Sequence, residues 1–355
     1  MVEDTKVKVN EIIKAFGLSF GADYFAPYGE GHINRTFLLV LEDGQKYIVQ
    51  KINNRIFKDV AALMKNIAAV IDHLAKKGGR HLQYIRTAEG GSYFFDGEGY
   101  FRVYDFIDNS VSYQTVENPA HFFAAAAAFA KFQRMLGDFD AAKLTEVLPG
   151  FHDTVKRFFD FKAAIAWGIP ERLKKASPEI DFALKREGIT AKITGALKSG
   201  EIPLRVTHND TKLNNVLIDN ISGEGVVIDF DTIMPGSLLY DFGDAIRFGA
   251  SSAKEDEADL TKVAFRLDLF EVYAEGFLKH IGKIEESERE NLAFSALLMT
   301  YECGIRFLAD YLSGDTYFRT AYPEHNLVRA KNQFKLVADM ERAMPEMEKI
   351  IKKYS

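Results

Sequence analysis

The stretch from Leu204 to Ile218, with the short run that follows it, constrains this 355-residue chain more than any other feature. Two apolar runs, Leu204 to Val206 and Val216 to Ile218, bracket a loop dense in polar side chains. A third run, Val226 to Ile228, ends on Asp229. Short β-branched runs bounded by polar and glycine clusters read as strands. The spacing therefore predicts a small sheet with His208, Asp210, Lys212, Asn215 and Asp229 gathered at one end.

The order His208-x-Asp210, then Asn215 five positions later, then a strand ending on Asp229, follows the catalytic order of the protein kinases. Phosphoryl transfer needs a carboxylate to accept the acceptor's hydroxyl proton, and Asp210 is placed for that. It also needs oxygen ligands for Mg²⁺ on a triphosphate, because a hard ion takes carboxylate and amide oxygens. Asn215 and Asp229 fit. Lys212 is expected to offset negative charge on the transferring group, and His208 to shape the loop. The competing reading is an ordinary polar loop. Three fixed positions alone arise by chance with odds on the order of a percent, from average residue usage, and the flanking strands and Ile228-Asp-Phe-Asp231 lower that further.

A chain of this length suggests about two lobes. The formal net charge of −6 argues against nucleic acid as a main partner, since phosphate backbones need a basic surface. No basic-then-apolar leader is legible, and no apolar run approaches the ~20 residues that span a bilayer. Cys303 is the only cysteine. It cannot form an intramolecular disulfide, which fits a reducing cytoplasm. These features lead us to expect a cytoplasmic protein without membrane or nucleic-acid partners, as a monomer or weak homodimer.

In chain order, Val7 to Leu18 has helical apolar spacing. Pro27 to Asn34, Thr36 to Leu41 and Lys46 to Ile52 then read as strand, glycine turn, strand, tight turn, strand. Gly29 and Gly31 would let backbone amides approach an anion, as in a loop covering nucleotide phosphates; an ordinary hairpin is the alternative. His32 and Asn34 follow, either as turn residues or as contacts to acceptor or phosphates. A kinase carries a phosphate-binding lysine at the end of the third strand. Alignment on that pattern puts Gln50 there and Lys51 on the opposite face. Ile56 to Lys77 reads as a helix, yet no glutamate lies between Phe57 and Lys77 to pair with such a lysine. Gly90 to Phe95 and Gly99 to Ile107 form a hairpin whose end, Tyr104-Asp-Phe-Ile107, is the expected hinge, with Tyr104 and Phe106 beside the nucleotide.

From Pro119 onward helices are expected over 119–136, 151–166, 179–199, 256–281, 285–311 and 325–353. Asp241 and Asp244 fall near a helix start, where carboxylates cap free amides; a share in the acceptor site is the alternative. Arg306 lies on an apolar helix and either pairs with Asp310 at i+4 or faces the acceptor. Tyr317 and Tyr322, in the link that follows, are packing residues by default.

With these motifs assembled, the chain resembles the aminoglycoside phosphotransferase/choline kinase family over essentially its whole length. Within that family it is most similar to the bacterial N-acetylhexosamine 1-kinases. The resemblance rests on Tyr28-Gly-Glu-Gly-His-Ile-Asn34, Phe151-His-Asp-Thr154, Leu204 to Val216, Asp231 to Ser237, Asp241-Phe-Gly-Asp244, Ile246 to Ser251, Cys303-Gly, Arg306 to Tyr311 and Tyr322 to Arg329. It implies an α+β, two-lobed protein-kinase-like fold, with a small antiparallel-sheet N-lobe over 1–105 and a mostly helical C-lobe over 106–355. It also implies Mg²⁺-dependent transfer from ATP to the anomeric hydroxyl of N-acetylglucosamine or N-acetylgalactosamine. Asp210 is then the base, aided by Lys212, and Asn215 and Asp229 are the metal ligands. His32, Asn34, Arg306 and Tyr317 become the expected sugar contacts. That group also lacks the strand lysine, so Gln50 departs from the wider family but not from it. Choline, homoserine or an aminoglycoside as acceptor, and a nucleotide-binding pseudokinase, are the competing readings.

Overall fold

The sequence pattern builds an antiparallel sheet first. The structure, a computed structural model, describes residues 3–29 and 33–355, the side chains of residues 3–7 excepted. Helix α1 (Glu3–Ala15) is followed by β1 (Ala22–Pro27), β2 (Arg35–Leu41) and β3 (Lys46–Ile52), then α2 (Val60–Lys77). Strands β4 (Tyr84–Ile85), β5 (Phe94–Phe95) and β6 (Tyr100–Asp105) complete an antiparallel sheet of order β1-β2-β3-β6-β4, with β5 also on β6. Helix α2 starts four residues later than its apolar spacing suggests, because the Asp59 side chain takes the Ala62 amide at 2.8 Å and caps it there.

Strand alternation gives the sheet two faces. Leu39, Leu41, Val49, Phe101 and Val103 pack against Val9, Ile12, Ile13 and Phe16 of the α1 segment. The other face carries Ile52 and Tyr104 onto α2. Gln50 pairs in register with Arg102 and Lys51 with Phe101. The Lys51 ammonium lies 5.6 Å from the Phe101 ring centre, on the α1 side, as the alternation predicts.

After β7 (Ser110–Val111) the chain becomes helical: α3 (Pro119–Met135), α4 (Thr154–Trp167), α5 (Pro170–Lys175), α6 (Ser177–Leu184) and α7 (Ala191–Ser199). The single helix expected over 179–199 is two. Gly188 disfavours continuation, and Thr190 turns its hydroxyl back to the Glu187 carbonyl at 2.8 Å. Strands β8 (Arg205–Thr207), β9 (Val216–Asp219), β10 (Gly225–Val227) and β11 (Met234–Gly236) form two small antiparallel sheets, β10-β9-β7 and β11-β8. Helices α8 (Leu238–Gly249), α9 (Leu267–Ile281), α10 (Glu286–Leu312) and α11 (His325–Tyr354) follow. Helix α9 begins eleven residues later than expected. Asp259 instead binds the Thr261 amide and hydroxyl at 3.1 and 2.6 Å, a local turn that competes with a helix.

Helix α10 has an 18-residue stretch apolar enough by composition to cross a membrane, which the sequence reading had not expected. Of that stretch 78 % is buried inside the fold, so its apolarity is used in the core. Cys303 lies on the same helix, and burial pushes its thiol up to about 12. One apolar cluster joins α2 and the sheet to Phe129 and Phe132 of α3 and to Val206, Leu213, Val216 and Phe230 around the polar loop. The loop is thereby fixed at the seam between sheet and helices.

Candidate active site

The two small sheets position the loop from both ends. Thr207 pairs with Met234 across β8 and β11, and Val216 with Val227 across β9 and β10. The Ile228 amide donates to the Asn215 carbonyl at 2.9 Å. Asp210, Lys212, Asn215 and Asp229 therefore meet in space, as their spacing predicts. His208 is fully buried. One ring nitrogen, Nε2, lies 2.9 Å from the Ile228 carbonyl, and the Asp210 amide donates to Nδ1 at 3.3 Å. Phe129, Phe132 and Phe230 meet the ring edge to face. Its surroundings hold it as a strut of the loop.

Asp210 is half-buried at the loop's tip. The Lys212 ammonium sits 2.7 Å from Oδ1, and Asn215 Nδ2 donates to Oδ2 at 3.0 Å and to the Asp210 carbonyl at 2.7 Å. Burial opposes ionisation, but Lys212, His208 and Asn215 outweigh it and hold the carboxyl below its ordinary range. Asp210 in turn raises the Lys212 ammonium above its ordinary value. Lys212 thus contacts the carboxylate that the sequence assigns as base.

Asp229 takes left-handed backbone angles, φ 61° and ψ 69°, uncommon for a side-chain-bearing residue. Its side chain is exposed, yet the protein atoms around it still desolvate the carboxyl. That desolvation, and then the charges of Asp231 and Asp210, push its carboxyl up to about 7. Asn215 spends its NH₂ on Asp210, which leaves its amide oxygen uncommitted among the described residues. No cage of three His, Cys, Asp or Glu groups forms among the described residues. A carboxylate under like-charge repulsion beside an amide oxygen suits a hard divalent ion whose other ligands are water and phosphate oxygens. The residues present fit Mg²⁺.

The loop is held from below by α8. The Asp241 carboxylate accepts from the His208 amide at 2.9 Å, the Asn209 amide at 2.7 Å and Gln133 Nε2 at 2.6 Å. Asp244 accepts from the Thr211 amide at 3.1 Å and pairs with Arg247 at 2.8 Å. The expected helix caps are a different device: Ser237 caps α8, through the Leu239 amide, and the two aspartates cap the loop's amides instead. Gly243 lies between them because α10 passes too close for a side chain. A Cβ there would stand 2.4 Å from the Ser295 carbonyl oxygen.

On the acceptor side, buried Glu302 lies 2.8 Å from His152 Nδ1 and accepts the Thr154 hydroxyl at 2.6 Å; His152 Nε2 lies 3.2 Å from the Asn209 carbonyl. One turn along α10, Arg306 lies between the Phe151 and Phe318 rings, 5.3 and 5.6 Å from their centres. It does not pair with Asp310. That carboxylate instead accepts the Thr316, Tyr317 and Phe318 amides and Asn326 Nδ2 at 2.8–2.9 Å. Tyr317 is thereby anchored by its backbone while its side chain is 68 % exposed. Arg157 adds a second guanidinium near Arg306. Burial, then repulsion from Arg306, holds it below its ordinary range.

At the cleft mouth Phe106 is half-buried, edge-on to Tyr28 at 5.9 Å, with the Lys46 ammonium 5.3 Å from its ring centre. Tyr104, expected beside the nucleotide, is a correction. It is buried in the core behind the cleft, its ring 5.3 Å from the Arg102 guanidinium carbon, because it shares the inward face of β6 with Arg102. Asn34 also differs from expectation. It is 8 % exposed, its Nδ2 donates to Asp231 and its Oδ1 accepts the Asn53 amide at 2.9 Å. Both ends of its amide are used inside the protein, so it is placed as a tie and not as a substrate contact. Gly29 has φ 73° and open space around it; backbone conformation, not a close approach, calls for glycine there. Gly31 and His32 lie outside the described residues. The roles of Arg102, Asp231, Gln133 and Glu302 escaped the sequence reading, because each acquires its partner from a distant element; Arg157, held locally by the Phe151 carbonyl, carried no signal.

Against known proteins, residues 25–275 match the family model described as the APH phosphotransferase enzyme family. Among solved structures, the fold is similar to an aminoglycoside phosphotransferase from Alicyclobacillus acidocaldarius, at 14 % identity and TM-score 0.62, over 98 % of this chain and 97 % of that one. It is also similar to a microcompartment-associated aminopropanol kinase, at 13 % identity and TM-score 0.61, over 96 % and 98 %. A choline kinase from Cryptosporidium parvum matches at 13 % identity and TM-score 0.56, over 93 % and 92 %. With the antiparallel sheet, the helical half and the seam loop in place, the chain belongs to the APH phosphotransferase family and has its protein-kinase-like fold.

Proposed function

We propose that this phosphotransferase carries the γ-phosphoryl group of ATP to the anomeric hydroxyl of an N-acetylhexosamine, N-acetylglucosamine or N-acetylgalactosamine, giving the sugar 1-phosphate and ADP. The observation that carries the chemistry is the Asp210 carboxylate, kept ionised at the loop tip by Lys212 and Asn215. An ionised carboxylate can take the hydroxyl proton as the acceptor oxygen bonds to phosphorus. The bond from phosphorus to the β-phosphate bridging oxygen breaks, and ADP leaves with that electron pair. Mg²⁺, when bound, neutralises charge on the triphosphate, and Asn215 and Asp229 would hold it. Gly29 and Gly31 cover the phosphates, and Phe106 with Tyr28 borders the base.

The charge on the acceptor side supports a neutral, oxygen-rich acceptor over a polycation. The three carboxylates that could have lined an aminoglycoside site, Asp241, Asp244 and Asp310, are used on backbone amides and neighbouring side chains. Arg306 and Arg157 stand there instead, with Tyr317 beside them. His32 completes the proposed sugar contacts. The choice of N-acetylhexosamine rests on the sequence resemblance.

The test is ADP release with Mg²⁺-ATP over N-acetylglucosamine, N-acetylgalactosamine, glucose, galactose, choline, homoserine and kanamycin, with the phosphate position read by phosphorus NMR. Turnover is expected on the acetylated sugars, with phosphate on the anomeric oxygen. Asp210→Asn should still bind ATP and lose turnover by at least ~10³-fold, the scale of a lost general base with its charge. Turnover confined to choline or kanamycin would refute the sugar, and a fully active Asp210→Asn would refute the mechanism.

A further inference from the structure

Arg102 is the largest of the fully buried side chains, at 1 % exposure. From the middle of β6 its NH1 reaches Asp231 Oδ1 at 2.5 Å, and Nε and NH2 donate to Gln50 Oε1 at 3.0 and 2.8 Å. Met64 of α2 lies 3.8 Å from NH1 through its Sδ. Gln50 passes the connection on, donating Nε2 to the Thr36 hydroxyl at 3.1 Å. Asp231 also accepts from Asn34, where the hairpin over the phosphates rejoins β2. Asn66, two residues after Met64, donates to the Ile233 carbonyl at 3.0 Å. Three arms of this network, from Arg102, Asn34 and Asn66, reach the segment 231–233, immediately after Asp229.

A buried ion pair is a poor device for stability alone, since well-packed apolar residues of similar volume often serve as well or better. Its position asks for another reason. The end of β3 offers Gln50 where a kinase has its lysine, and α2 offers Met64 and Asn66 and no glutamate. Lys51 is on the α1 side of the sheet and cannot substitute. The lost cation has a replacement one strand over, in register with Gln50.

We propose that Arg102 is the positioning residue of the metal–triphosphate half of the site. By clamping Asp231 it fixes the left-handed turn that presents Asp229. The Asn34 bond to the same carboxylate ties the phosphate-covering hairpin to the metal strand, so one cation organises both. This inference rests on the phosphotransferase reading of the site.

The experiment is calorimetric titration of ADP into the full chain, with EDTA and then with Mg²⁺ or Mn²⁺, for the parent, Arg102→Met, Arg102→Lys and the paired replacement Arg102→Met/Asp231→Leu. The paired variant leaves no orphaned buried charge and keeps the test available if Arg102→Met alone does not fold. We expect metal-free ADP affinity within about twofold of the parent in the two single variants. The gain in affinity that the metal adds should fall at least tenfold in Arg102→Met and in the paired variant, with part of it recovered in Arg102→Lys. A metal-dependent gain equal to the parent's in either charge-free variant overturns the proposal. Failure of the phosphotransferase reading would appear in the parent itself, as ADP binding that metal does not strengthen.

Discussion

Replacing Asp241 by alanine probes how the loop carrying Asp210 is held. Its carboxylate serves two loop amides and Gln133, all buried, at 2.6–2.9 Å. Removal leaves three donors without this acceptor, each worth about 1–3 kcal/mol when buried. Gln133 keeps its bond to the Val206 carbonyl at 3.0 Å, so its loss falls at the low end. Against this, removing the carboxylate relieves the desolvation that raises its proton affinity, a cost of several kcal/mol for a buried ion. The net destabilisation should be about 3 kcal/mol. With roughly 2.1 cal/mol/K of unfolding entropy per residue over the chain, that lowers Tm by about 4 °C. Freed amides at His208 and Asn209 let the tip carrying Asp210 drift, and a displacement near 1 Å costs about 10²-fold in kcat. The hairpin proposed to cover the nucleotide makes no contact with Asp241 among the described residues, so the KM for ATP should stay within about threefold. Thermal melts and steady-state kinetics check this. A variant with the parent's Tm and kcat would refute the claim that Asp241 sets the loop.

Two further predictions follow from single contacts. Gly243→Ala drives a methyl to 2.4 Å from the Ser295 carbonyl and 2.6 Å from Met299 Cγ, so α8 and α10 must separate; overpacking of this kind costs about 1–3 kcal/mol, and an unchanged melt would disprove the close approach. Glu302 is buried, which raises its proton affinity, yet His152, Arg306 and Thr154 outweigh burial and depress its carboxyl below the ordinary range. A depressed folded value means that its contribution is complete above the unfolded pKa of about 4.3 and is lost as pH falls through the folded value. The Tm gap between the parent and Glu302→Gln should therefore be constant above about pH 5.5 and close at lower pH, and a gap that persists to pH 3 would contradict a depressed Glu302 carboxyl.

The meeting of the proposed catalytic residues was legible along the chain because they lie close together in sequence. Asp210, Lys212, Asn215 and Asp229 lie within two strands and a hairpin, and strand pairing over so short a span leaves little freedom in where they meet. Alternation in β3 likewise assigned Gln50 and Lys51 to opposite faces before any partner was known. Helix bounds were less secure. The breaks at 185–190 and 256–266 depend on Thr190, Gly188 and Asp259 forming local bonds that outcompete an amphipathic pattern.

What the sequence determined by itself was the family, the fold class and the clustering of Asp210, Lys212, Asn215 and Asp229, since each is written in contiguous residues with fixed spacing. Only the tertiary structure decided how charge is distributed around them. Asp241, Asp244 and Asp310 looked available to a substrate, and folding committed them to backbone amides. Arg306 could have paired with Asp310 or faced the acceptor, and folding left it unpaired with Asp310, between two aromatic rings. Arg102 carried no signal in its own neighbourhood, because its partners are 52 residues away at Gln50 and in the turn after β10 at Asp231. A buried charge is costly until a partner meets it, and which partner does so is a property of the packed chain.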